Sequence, residues 1–117
     1  MANFDTPELL EALQSIDKGN YSAAFGVLAL LADAGNPKAQ CNLANLYHFG
    51  WGVTADGSKA AELYWTVARQ NIHEGKLSAL SYNNLSTLYI CGAPGIEPDH
   101  ERAAEYSALA KELGFDM

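Results

Sequence analysis

The chain has 117 residues, 49% of them hydrophobic, which suits one folded domain and excludes a disordered segment. Fourteen acidic against seven basic residues give a net charge of -7. Such a surface repels phosphate backbones, so nucleic acid is not an expected partner and a basic protein is easier to accommodate, although the same charge equally serves solubility.

Alanine, leucine and tyrosine dominate the composition, a bias towards helix over strand. Thr6-Pro7-Glu8 combines a capping hydroxyl, a first-turn proline and an acid at the positive helix end. Leu9, Leu13 and Ile16 follow at helical spacing, and Gly19 stops this first helix. Asn20 is expected to cap the second, with Ala24, Val27, Leu28 and Leu31 as its apolar stripe and Gly35 at its end. Asn36-Pro37 opens a third helix that carries Leu43, Leu46 and Tyr47 to Gly50. Asp56 caps a fourth, bearing Ala60, Leu63, Tyr64 and Val67. A fifth holds Leu85, Leu88 and Tyr89 and ends at Gly92. Asp99 caps the sixth, which carries Ala103, Tyr106 and Ala110 to Gly114. Six helices with short connections leave no room for a sheet. No stretch approaches the ~20 apolar residues of a membrane span, and the start, Met1-Ala2-Asn3-Phe4-Asp5, carries no secretory signal, so a cytoplasmic protein with no membrane partner is expected.

The helices repeat in pairs. Asn42-Leu43-Ala44-Asn45-Leu46-Tyr47 shifted by 42 residues meets Asn84-Leu85-Ser86-Thr87-Leu88-Tyr89, and Gly50 meets Gly92. A shift of 43 brings Asp56, Ala60, Ala61 and Glu62 onto Asp99, Ala103, Ala104 and Glu105. A backward shift of 36 places Asp56, Ala60, Tyr64 and Ala68 on Asn20, Ala24, Leu28 and Ala32. One pair cannot bury its own apolar face, so three pairs are expected to stack in a line.

Ala39, Asn42-Leu43-Ala44, Tyr47, Gly50-Trp51-Gly52-Val53, Asp56, Ala60 and Tyr64 resemble the unit of the Sel1-like repeats, relatives of the tetratricopeptide repeat. The resemblance covers residues 6 to 113 and implies an all-α solenoid of three two-helix repeats, in one domain over 1–117 with units at about 6–35, 36–71 and 77–113. The third unit departs, with Gly95-Ile96 at the glycine-valine step and Ala93-Pro94 lengthening the turn, and Gln70 to Ser78 exceeds the usual spacing. The first lacks the glycine-rich turn. The resemblance also makes Asn42 and Asn84 structural, bonding between helices.

No catalytic chemistry stands out. His48, His73 and His100 lie far apart and hold no metal-ligand spacing with Cys41 or Cys91, which do not resemble a disulfide framework. Gly50-Trp51-Gly52 is too short for a phosphate loop and is explained by the repeat turn. No cofactor, metal or catalytic residue is therefore assigned. An enzyme would require His48, Glu62, His73 and His100 to converge in one cleft.

The resemblance implies that the first helix of each pair lines a concave face. At 100° per residue Ala39, Leu43, Tyr47 and Gly50 share one side of the third helix; Lys38, Cys41, Asn45 and His48 occupy the other, with Phe49 at its edge. The matching residues are Leu80, Asn83, Thr87, Ile90 and Cys91 on the fifth helix and Glu8, Glu11, Ser15 and Lys18 on the first. Trp51 and Trp65 stand where the family usually has variable polar residues, and an exposed tryptophan is a strong anchor. The candidate contact residues are thus Lys38, Asn45, His48, Phe49, Trp51, Trp65, Asn83, Thr87 and Ile90. A protein–protein interaction module, an adaptor or scaffold for a protein or peptide, is the leading reading. The alternatives are an immunity or inhibitor protein that neutralises a bacterial toxin through its acidic surface, and a homodimer formed through Phe4, Leu113 and Phe115.

Overall fold

The computed structural model describes residues 4–70 and 76–114, and among these six helices follow one another: α1 (Pro7–Asp17), α2 (Tyr21–Asp33), α3 (Pro37–Phe49), α4 (Gly57–Ala68), α5 (Lys76–Cys91) and α6 (His100–Glu112). Their starts follow the sequence punctuation. Thr6 Oγ1 accepts the Leu9 amide at 3.2 Å, and Asn36 Oδ1 accepts the amides of Lys38 and Ala39 at 3.0 and 3.1 Å. Asp56 and Asp99 accept the amides of Lys59 and Arg102. Asn20 departs from expectation: its side chain makes no capping bond, because its backbone (φ -88, ψ 65) is not the extended form that turns the other caps back on their helices.

Each helix packs on the next in the chain. One apolar cluster joins Leu9 and Ala12 of α1, Ala24 and Leu28 of α2, and Ala39, Leu43 and Leu46 of α3. A second joins Ala44 of α3, Ala60, Tyr64 and Ala68 of α4, and Leu85 and Leu88 of α5. Because α3 contributes to both, no pair closes its own core, which is the stacking logic of a repeat. With three pairs the result is a slab of 38 × 34 × 22 Å.

The second and third turns are near copies. Gly50 and Gly92 have φ of 71 and 73; the amides of Asp56 and Asp99 donate to the carbonyls of Tyr47 and Tyr89 at 2.8 and 2.7 Å. Lys59 sits over the Tyr47 ring at 5.8 Å and Arg102 over the Tyr89 ring at 5.3 Å, so the repeat extends to cation–π contacts. The longer third turn closes through a single bridge between Ala93 and Ile96. Its Pro94 carbonyl accepts the Gly57 amide at 2.7 Å, docking the turn on the start of α4. A Cβ on Gly57 would lie 2.7 Å from Ala93 Cβ and 2.8 Å from that carbonyl, so this junction admits only glycine.

Two details correct the sequence reading. Asn42 Nδ2 donates to the Lys38 carbonyl at 2.8 Å, along its own helix and not across to another. Cys41 is buried, its sulfur 3.1 Å from Ser81 Oγ on α5, because α3 has a neighbour on the side that the helical wheel leaves open. Burial pushes the Cys41 thiol up to about 11, partly offset by the Ser81 hydrogen bond, whereas the Cys91 thiol is exposed. The native protein should therefore give one fast equivalent with a thiol reagent at pH 8, and the other only on unfolding. Two fast equivalents would mean that the α3–α5 seam opens readily at Cys41.

Candidate partner-binding surface

The last turn of α3 carries Tyr47, His48 and Phe49, and the left-handed Gly50 then reverses the chain, with the Trp51 amide bonding back to the Leu46 carbonyl at 3.0 Å. This reversal lays Trp51 on Tyr21 at the start of α2, ring centroids 5.2 Å apart and planes within 21°. Trp51 thus covers the preceding repeat. Phe49 stacks on Trp51 at 4.7 Å and on His48 at 4.2 Å. His48 meets Tyr64 edge-on at 6.1 Å, with Nδ1 3.4 Å from the Tyr64 hydroxyl, and that hydroxyl donates to Asn45 Oδ1.

Five rings from α2, α3, the turn and α4 therefore form one run. Phe49 is 52% exposed and Trp51 39%, so neither is tucked beneath a turn, while Tyr64 at the far end is fully buried. Stacked pairs of this kind contribute about 0.5–1.5 kcal/mol each beyond their buried area. The run is an apolar surface whose side chains are already ordered, which lowers the entropy lost when something docks on it.

Burial lowers the His48 pKa from its ordinary 6.5. Between that value and the folded one, the unfolded chain binds a proton that the folded chain does not. Stability should therefore fall as pH drops below about 6.5 and level off beneath the folded pKa. Urea titrations across this window should show a shallower decline in His48→Gln; an unchanged slope would assign the effect to other groups.

The remaining sequence-predicted contacts lie elsewhere. Lys38 pairs with Asp5 at 2.6 Å and lines a shallow depression with Lys76, Leu77 and Leu80. Asn83, Thr87 and Ile90 line a separate groove of about 410 Å³ between α5 and α6, with His100, Ala103, Ala104 and Ser107. By the 42-residue shift these three are the equivalents of Cys41, Asn45 and His48, so they form the outer face of the last repeat. Trp65 is 44% exposed beneath the Arg69 guanidinium, 4.2 Å over its ring.

His48, Glu62 and His100 do not share a cleft: His48 belongs to the aromatic run, Glu62 to a cavity between α2, α3 and α4, and His100 to the α5–α6 groove. His73 and Phe115 lie outside the described residues, as does most of the long segment from Gln70 to Ser78. Among the described residues no three His, Cys, Asp or Glu side chains gather as a metal site, and no helix is long and apolar enough to cross a membrane. Sequence reasoning missed that cavity, about 560 Å³, because its lining comes from positions with no shared motif.

Comparison with known proteins agrees with this architecture. The sequence matches the Sel1 repeat over residues 37–64 and 79–115, the second and third helix pairs. The fold is similar to the crystal structure of a protective antigen present in uropathogenic Escherichia coli strains and displaying an SLR fold, with 25% identity and a TM-score of 0.75. That likeness covers 92% of this chain but only 22% of the antigen, so the chain spans about a fifth of that protein's length. No curated protein matches the chain. Sel1 repeats generally mediate protein–protein interaction, and SLR proteins are typically non-catalytic scaffolds. With both later helix pairs matched, over half of its residues, the chain belongs to the Sel1 repeat family.

Proposed function

We propose that this chain is a non-catalytic, cytoplasmic adaptor that holds a protein or peptide partner on its exposed aromatic run. The observation that carries the reading is the continuous stack of Trp51, Phe49 and His48, with Trp51 and Phe49 exposed and His48 half-buried, fixed by ring-on-ring contacts and anchored on Tyr21 and Tyr64. Large, ordered aromatic groups are the residues that dominate protein interfaces. Asn45 supports the run through the Tyr64 hydroxyl; Lys38, Trp65, Asn83, Thr87 and Ile90 are candidate outlying contacts.

The net charge of -7 favours a second reading within the same class, an immunity or inhibitor protein docking on a basic toxin. Steering of that kind speeds association at low salt. Affinity purification from the source cell followed by binding assays tests both readings. Trp51→Ala and Phe49→Ser should each weaken the recovered partner at least tenfold, the loss expected of an interface anchor. Full affinity in the double variant would refute docking on the aromatic run. An association rate independent of salt would remove the inhibitor reading, and light scattering with a concentration-dependent dimer would favour self-association instead.

A further inference from the structure

The groove between α5 and α6 repeats, one step along the stack, the groove between α3 and α4 that holds α5. Shifts of 42 and 43 residues place its lining residues Asn83, Ser86, His100, Ala103 and Ser107 on Cys41, Ala44, Gly57, Ala60 and Tyr64. Each of those five packs on α5 or on the turn that follows it. Cys41 Sγ lies 3.1 Å from Ser81 Oγ, Ala44, Ala60 and Tyr64 share a cluster with Leu85 and Leu88, and the Gly57 amide donates to the Pro94 carbonyl at 2.7 Å. The α5–α6 groove therefore continues an interface already present inside the molecule, and stacked repeats bury such grooves beneath the next helix.

Here the groove is open. Thr87, Ile90 and Ala104 are exposed on its walls, and none of its lining residues is an Asp, Glu, Lys or Arg, in a chain of net charge -7. Ser107 stands where the second repeat has the fully buried Tyr64, and the smaller side chain leaves room in the groove of about 410 Å³. The filled groove shows what suits the open one. Ser78, Ser81, Leu85 and Leu88 of α5 are buried at helical spacing, the serines allowing close approach and the leucines filling the gaps. A second copy of this chain is the poorer occupant. Two copies repel through their like charge, and the exposed residues of α1, the helix that a head-to-tail stack would bring in, include Glu8, Glu11, Gln14 and Asp17 against one leucine, Leu10. The same charge favours a helix whose outer face is basic.

We infer that the α5–α6 groove is a docking seat for an amphipathic helix of a partner protein, received as α3 and α4 receive α5, with a ridge of small residues and leucines inward and a basic face outward. The seat is distinct from the aromatic run, and its test does not depend on that reading. The probe is a peptide of residues 76–91 carrying Ser81→Cys and Cys91→Ser, added to the full-length Cys91→Ser protein with Asn83→Cys, the counterpart of Cys41. An isolated helix of this length is marginal in water, so the readout is the mixed disulfide formed at equilibrium in a glutathione redox buffer, measured by intact mass. Capture should exceed that of a scrambled peptide at least tenfold, and a peptide with its cysteine moved from Ser81 to Thr87 should fall to the scrambled level. Ala104→Arg in the groove wall should cut capture at least tenfold, whereas Ala108→Arg, exposed on α6 outside the groove, should leave it unchanged. Capture at the scrambled level, or capture that ignores Ala104→Arg, would overturn the seat. A concentration-dependent dimer of the native protein that Ala104→Arg abolishes would assign the groove to a second copy and overturn the partner helix.

Discussion

Replacing Tyr64 with alanine should lower the unfolding free energy by about 4 kcal/mol, a large share of the roughly 5–15 kcal/mol of a domain this size. Tyr64 has no exposed surface, and it is the largest side chain in the second cluster, where its neighbours include Ala44, Ala60 and Ala68. Alanines have no side chain to swing into the space, so the cavity would persist and the loss would lie near the upper end for aromatic truncation. The hydroxyl adds a smaller effect that can be separated. Tyr64→Phe keeps the ring but removes the donor to Asn45 Oδ1 and the contact with His48, and should cost about 1 kcal/mol because Asn45 is only half-buried. Urea unfolding followed by circular dichroism measures both. If Tyr64→Ala came within 1 kcal/mol of the parent, the seam between the second and third repeats would not rest on this residue.

Burial of Tyr64 also raises its pKa above the ordinary tyrosine value, so the phenol stays protonated and remains a donor to Asn45 throughout the neutral range. The far end of the aromatic run is therefore locked to the core, and Tyr64→Phe should loosen His48 as well as lower stability. A pH profile of Tyr64→Phe would reveal this as a smaller decline below pH 6.5, since a freer His48 ring titrates closer to its ordinary value.

The fold was legible because its signals are local and repeated. Asp56 and Asp99 cap their helices with backbone angles of -146, 98 and -147, 94, and the 43-residue shift that pairs them in sequence pairs their hydrogen bonds too. The candidate surface was legible only in pieces. Trp51, Phe49 and His48 stand out one by one, but that they stack depends on a reversal at Gly50 which reaches back thirty residues to Tyr21. Cys41 was placed on an outer strip because a helical wheel has two sides, whereas α3 is covered on both.

Gly52→Ala should destabilise the protein by about 3 kcal/mol, lowering the melting temperature by roughly 10 °C. Gly52 has φ of 76, where an alanine is strained by about 1–2 kcal/mol. The added Cβ would also meet backbone, 2.7 Å from the Ser22 nitrogen and from the Tyr21 carbonyl carbon. Backbone at the start of α2 cannot rotate aside as a long side chain would, so the turn itself must lift. That movement carries Trp51 off Tyr21, and in a Trp65→Phe background the Trp51 emission should shift to the red. Gly26→Ala, in the helix that this turn meets, supplies the opposite case. Gly26 lies inside α2 with nothing within 4 Å of an added Cβ, so alanine there should raise stability by about 0.5–1 kcal/mol through helix propensity. The two substitutions are chemically identical, and only the packing of the turn against α2 separates their signs. A Gly52→Ala protein as stable as the parent, with unshifted Trp51 emission, would mean that the turn does not press on Tyr21 and that the aromatic run is not held in place from the first repeat.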